Sequence, residues 1–490
     1  MRGRARGAVA IAALALASCA AAVSPATREA FGALRVSASE CRAPGPETVT
    51  PDAMGADLDV LARVLARGYA GYTTVGDEAR WAGVFDELRE AVGDAPRSAE
   101  AFRDLLAERL RFADDNHLGF WIRGADGARR WRAAGAHQQA ALSEARFVHE
   151  EGAWRDEEGR ALGACAEHLV AAWQDGALTH RLVALAATPP ATLACDAPDD
   201  APRAFALRPI ARTRDLGPAF EREDAELPWL RVRTLGMAQR AALDRFVASA
   251  AEVREAPVVV LDLRGNGGGS DRFLLAWFSH LTSQPLRYFD TLRVSSDVEL
   301  QGALTFWSCE AEAAAGDDAG AAWVRARVAQ AERALETAMR ERGPFVDRIE
   351  GTYTEPGRAP APFRGRLILL VDRGCGSACE TAVLLARQLE GALVVGENTE
   401  GTMKVGELRH YRLPATGVWV AAGRRAHADP ALGTFPEGRG YLPDVWLDGT
   451  STERDVIALA RCLTTPPCPA ALDAARATRR RRPRSRSPRH

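Results

Sequence analysis

Residues able to attack a carbonyl or move a proton stand at informative places in this chain. Ser377 follows an apolar run, Leu367 to Val371, and a glycine-rich turn; Ala378-Cys379-Glu380 and a helical stretch come next. A strand–turn–helix junction of this kind sets a hydroxyl beside the positive end of a helix, where the first N–H groups lack partners. That setting suits a nucleophile with an oxyanion beside it. Alone, the pattern also fits a capping serine. A second glycine-dense turn, LDLRGNGGG from Leu261 to Gly269, follows another apolar run and lets backbone N–H groups approach a ligand closely. It has neither the GxGxxG nor the GK[ST] pattern of a phosphate loop. Two residues could take the serine proton. His117, in Asp114-Asp115-Asn116-His117, has a reference pKa near neutrality. Lys404 is the one lysine of the chain, and a buried lysine loses its proton more readily.

Four segments carry a resemblance to a known family. DLRGNGGG is similar to the DLR-N-x-GG element of the C-terminal-processing and tricorn-core serine peptidases. LILLVDRGCGSACE resembles their nucleophile segment, with Cys379 where a second serine is usual. VVGENTEGTM resembles their VGE-x-T-x-G element, and PEGRGYLPDVWL their closing PD segment. The four occur in the family's order between about Pro228 and Leu447. The resemblance implies peptide-bond hydrolysis through an acyl-enzyme on Ser377. It further implies an oxyanion held by the N–H groups of Ala378 and of Gly268 or Gly269.

The base differs between subfamilies. The processing type places a lysine directly after the VGE-x-T-x-G element, where this chain has Thr402; Lys404 lies two residues further on, so a shifted register would be needed. The tricorn type uses a histidine from an earlier region and a distant glutamate. Asp115-Asn116-His117 resembles its D-x-H segment, and Glu437 stands where its glutamate falls. Glu437 and Asn116 are then expected to orient His117 and fix its tautomer. No metal, nucleotide or other cofactor is implied. A catalytically inactive peptide- or ligand-binding protein on the same scaffold is the alternative reading.

The elements that must position these residues read as an α/β fold. Residues 51–135 read as a helical N-terminal region, with apolar positions at helical spacing in LDVLARVL and FRDLLAERLRF. Residues 136–227 give mixed, short apolar runs of a small β-rich middle region without a PDZ signature. Residues 228–465 alternate buried strands and helices, with a helical insertion near 308–343. For this segment the resemblance implies a crotonase-like ββα core with layered sheet and helices. Residues 466–490 read as a disordered basic tail; eight arginines and no acid lie between Arg476 and His490.

The first residues set the expected compartment. MRGRAR followed by the apolar run AVAIAALALA has the length of a signal-peptide core, too short to span a bilayer. Leu16-Ala17-Ser18-Cys19 resembles a bacterial lipobox, so residues 1–18 are expected to be a leader and 19–50 a linker from lipidated Cys19. The expected setting is therefore the cell envelope or periplasm, anchored to a membrane, where coenzyme A chemistry is disfavoured. Eight further cysteines, an even number, suit disulfides there. Cys462 with Cys468 and Cys165 with Cys195 are plausible local pairs; Cys375 could join Cys379 or Cys309. The expected partners are a peptide or protein substrate and the membrane, with no nucleic acid; nothing in the sequence fixes oligomeric state.

Overall fold

The computed structural model describes residue 34 and residues 36–37, 39–150, 152–195, 203–210, 217–313, 318–447, 451–463 and 468. The expected leader, Cys19 and the arginines of the tail lie outside the described residues.

The chain forms a layered α/β fold built on two large sheets. The first has eleven strands, in the order Thr192–Cys195, Arg203–Pro209, Gln139–Ser143, Ala177–Ala186, Leu169–Gln174, Val445–Leu447, Leu393–Gly396, Arg366–Val371, Val258–Asp262, Trp229–Val232 and Phe220–Glu223. From Leu169–Gln174 to Trp229–Val232 its neighbours run parallel. Those strands are apolar along their length because both faces are covered. Leu367, Leu369 and Val371 pack with Leu243, Phe246, Phe278 and Val383 from helices on one face. Ile368 and Leu370 face Val456 and Leu459 of helix Glu453–Cys462 on the other. Burying each such side chain contributes about 1.5–3 kcal/mol.

The edge expected between residues 227 and 228 is not a break in this sheet. Strand Leu169–Gln174 pairs with Val445–Leu447, so the β-rich middle region extends the core sheet rather than standing apart. The helical insertion consists of Asp297–Ala313 and Asp318–Arg342 and begins earlier than 308. Its first helix starts directly after strand Leu286–Ser296, where Ser296 Oγ accepts the N–H of Glu299 at 2.9 Å as a cap.

The second sheet has the order Val346–Glu355, Leu286–Ser296, Trp419–Ala428, Gly119–Arg123 and Arg129–Ala133, with Val405–Arg412 also paired to Trp419–Ala428. It joins the N-terminal region to the core. Helix Pro51–Gly68 is capped by Thr50 and buries Met54, Leu58, Leu61 and Leu65 along one stripe. That stripe packs with Val298, Tyr411 and Val420. Asp57, on the same helix and buried, accepts the N–H groups of Ala415 and Thr416 at 3.1 and 2.7 Å. Strand Gly119–Arg123 sets Trp121 opposite Trp419, their rings stacked at 5.4 Å. Residues 114–118 therefore enter the second sheet at a fixed place.

Disulfides join Cys41 to Cys309, Cys165 to Cys195, Cys375 to Cys379 and Cys462 to Cys468. Cys309 thus pairs across 268 residues with Cys41 and not with Cys375.

Candidate active site

Two loops at the ends of neighbouring parallel strands build the turn that carries Ser377. The strand Arg366–Val371 runs into Asp372, whose Oδ1 accepts the N–H of Gly374 at 2.9 Å and that of Gly265 at 2.8 Å. Asn266 is fully buried and organises the glycine loop. Its Nδ2 donates to Val232 O, its carbonyl accepts from Gly376 N at 3.1 Å, and its Oδ1 accepts from Gly268 N at 2.9 Å. Asp262, at the end of the strand, is held at about 2: burial alone would raise it, but Arg264 and Arg233 more than offset that.

Ser377 lies at φ 51, ψ −126 and is the N-cap of helix Ala378–Ala386, yet its side chain makes no capping hydrogen bond. A non-glycine residue at positive φ costs of order 1–3 kcal/mol and is over-determined by its surroundings. Gly268 is part of that surrounding. It has φ 98, and a Cβ there would sit 2.8 Å from Ser377 Cβ and 2.7 Å from Gly376 O, so only glycine fits.

The glycine loop also distinguishes the two oxyanion candidates. The N–H of Gly268 donates to Asn266 Oδ1 at 2.9 Å. Among the described residues, the N–H groups of Gly269 and Ala378 have no acceptor. Gly269 is held in place through its neighbours: Leu235 N donates to Gly268 O and Ser270 N to Leu235 O.

His117 and the Ser377 turn are fastened to the same loop, residues 397–405. Glu400 N donates to Cys375 O at 3.0 Å, Asn116 Nδ2 donates to Gly401 O at 2.9 Å, and His117 Nδ1 lies 2.8 Å from Val405 O. A carbonyl can only accept, so Nδ1 carries the proton and Nε2 holds the lone pair. The tautomer of His117 is thus set by a backbone carbonyl and not by Glu437 or Asn116. Burial lowers the His117 pKa below its ordinary value, against the opposing charge of Asp115.

Glu437 acts on the backbone instead. Its buried carboxyl accepts the N–H groups of Asn116 and Lys404, each at 2.8 Å, and of Met403 at 3.2 Å. Asp115 accepts His117 N at 2.9 Å and the hydroxyl of Tyr69 at 2.7 Å. Burial raises both carboxyls, and Asp115 raises Glu437 further by like charge. Glu380, three residues beyond Ser377, is pushed by burial up to about 8 while accepting from Thr399 Oγ1, Gly401 N and Thr402 N. Lys404 donates its Nζ to the carbonyls of Ala113 and Asp114 at 3.0 and 3.2 Å, and so braces the turn before His117. Thr402, where the processing type has lysine, is buried, and its hydroxyl has no partner among the described residues.

Reading by residue type missed Val405, Asn266, Tyr69 and Glu380. Asp115 stood in the sequence only as part of a segment resembling D-x-H, with no role assigned to it; the Val405 carbonyl carries no side-chain signal at all.

The chain is similar to the solved structure of mature CPAF complexed with lactacystin, at 15% identity over 88% of this chain and 98% of that one, TM-score 0.43. It is similar to the photosystem II D1 C-terminal processing protease at 17% identity over 84% and 97%, TM-score 0.38. For the tricorn protease the values are 11% identity over 87% and 37%, TM-score 0.37. No curated protein sequence matches. Residues 229–445 match the family described as peptidase family S41, and cover both glycine loops, the Ser377 turn and Glu437. Over that segment the chain is similar to peptidase family S41.

Proposed function

We propose that this chain is a serine peptidase that cleaves peptide bonds through an acyl-enzyme on Ser377, with His117 as general base, in the cell envelope. The observation that carries the reading is the state of Ser377: held at positive φ and uncapped, with the N–H groups of Ala378 and Gly269 without acceptors among the described residues. The Ser377 hydroxyl attacks the scissile carbonyl as His117 Nε2 takes its proton. The N–H groups of Ala378 and Gly269 receive the oxyanion. His117 returns the proton to the leaving amine, and water then hydrolyses the ester by the same route. Glu437 and Asn116 hold the backbone before His117 against the 401–404 loop, and Lys404 braces the same turn. In this scheme they position the base and do not exchange its proton.

A fluorophosphonate probe tests the assignment. It should label the wild type and leave Ser377→Ala unlabelled, with peptide hydrolysis lost by several orders of magnitude. Labelling that survives the substitution removes Ser377 from the mechanism. A wild type that is never labelled favours the binding-protein reading, which the Thr402 position supports.

The proposed anchor is tested separately. Cys19→Ser should move the protein from the membrane to the soluble fraction, because acyl chains contribute about 0.8 kcal/mol per buried methylene. Retention on membranes in high salt would point to another anchor.

A further inference from the structure

Ser377 stands midway between two cysteines that are joined to each other, Cys375 and Cys379, a separation of 4 in sequence. Both are fully buried, whereas Ser377 is half-buried. A serine at a helix N-cap ordinarily steadies its own backbone by accepting an N–H from the first turn. Ser377 does not, so its side chain gives no help in holding φ 51, ψ −126. The hold comes from either side. On the near flank, Cys375 N donates to Asp372 O, Cys375 O accepts from Glu400 N, and Gly376 N donates to Asn266 O. On the far flank, Cys379 N donates to Gly376 O and Glu380 N to Ser377 O. The disulfide ties these two flanks covalently across the serine.

We infer that the Cys375–Cys379 disulfide is a positioning element that keeps the Ser377 hydroxyl off its own helix and available for attack. This deepens the reading of Ser377 as nucleophile and rests on it. A ring this small admits few backbone conformations. Opened, the turn gains access to ordinary N-cap geometry, in which the hydroxyl accepts a first-turn N–H. In that geometry the hydroxyl oxygen is engaged by the N–H of Cys379 or Glu380 and is turned from the substrate. The rate then falls with the fraction of molecules that keep the competent turn, while the affinity for substrate is expected to be unaltered.

The test compares wild type with Cys375→Ala/Cys379→Ala and Cys375→Ser/Cys379→Ser, using Cys165→Ala/Cys195→Ala as a disulfide control in the β-rich region. The readouts are the rate of fluorophosphonate labelling, kcat and KM on a peptide substrate, and the melting temperature. A positioning role predicts a fall of about tenfold or more in labelling rate and kcat, with KM within about twofold, in folded variants. An unchanged labelling rate overturns the inference. So does an equal loss in the Cys165/Cys195 control, or failure of both Cys375/Cys379 variants to fold, since the disulfide would then serve the fold and not the serine. A wild type that the probe does not label overturns the nucleophile reading itself, and is distinct from each of these results.

Discussion

His117 is a buried imidazole with one nitrogen committed to Val405 O, and that commitment decides how it should behave. Burial lowers its pKa below 6.5, so the neutral, proton-accepting form persists into mildly acidic solution. As the proposed base it predicts a kcat/KM profile whose rising limb lies below that value and reports the free enzyme. His117→Ala should reduce turnover by about 10²–10⁴-fold. Lys404→Ala should cost far less than His117→Ala, because its Nζ donates to the carbonyls of Ala113 and Asp114 and so acts on the turn before His117 and not on the serine proton. Steady-state kinetics on the two variants decides the matter. Loss in Lys404→Ala with survival of His117→Ala would reassign the base to the lysine.

The nucleophile helix and the 399–402 loop behave as one element because Glu380 joins them. From helix Ala378–Ala386 its carboxyl reaches Thr399, Gly401 and Thr402. Burial pushes that carboxyl from 4.5 up to about 8. An acid whose folded pKa is raised keeps its proton in the native state after the unfolded chain has lost it. Across the window from 4.5 to about 8 the native state therefore binds more protons, and stability falls as pH rises. Glu380→Gln removes that term. Urea midpoints measured at a series of pH values should decline less steeply through the window in the variant than in the wild type. Parallel curves would show that Glu380 does not titrate there. The strand and helix of this element were legible from the apolar run Leu367 to Val371 and the serine that follows. The clamp was not, since a glutamate one turn into a helix is as ordinary on a solvated face as in a core.

At the scale of the molecule, the Cys41–Cys309 disulfide fastens the segment before the first helix to helix Asp297–Ala313. It closes a loop that contains the whole of the N-terminal and middle regions, and long loops gain most from closure. Cys41→Ala/Cys309→Ala should lower stability by about 2–5 kcal/mol in urea titrations, with fluorophosphonate labelling retained at low denaturant. Labelling lost without a change in midpoint would mean that this disulfide acts on the site.

Local features are legible in the residues: a serine after a buried strand and before a helix, a glycine-rich turn after another, and motifs similar in order to those of the C-terminal-processing and tricorn-core peptidases. Hydrophobic pattern and turn chemistry act over a few residues, and those features lie within such spans. The tertiary structure alone decided which partners meet. Asn116 reaches Gly401 across 285 residues and His117 reaches Val405 across 288, because the pairing of Gly119–Arg123 with Trp419–Ala428 carries one loop to the other. The acceptor that fixes the histidine is a backbone carbonyl, which every residue possesses. In the same way Gly267, Gly268 and Gly269 are identical as letters. Only their dihedral angles, and the bond from Gly268 to Asn266, separate the N–H that is occupied from one that is not.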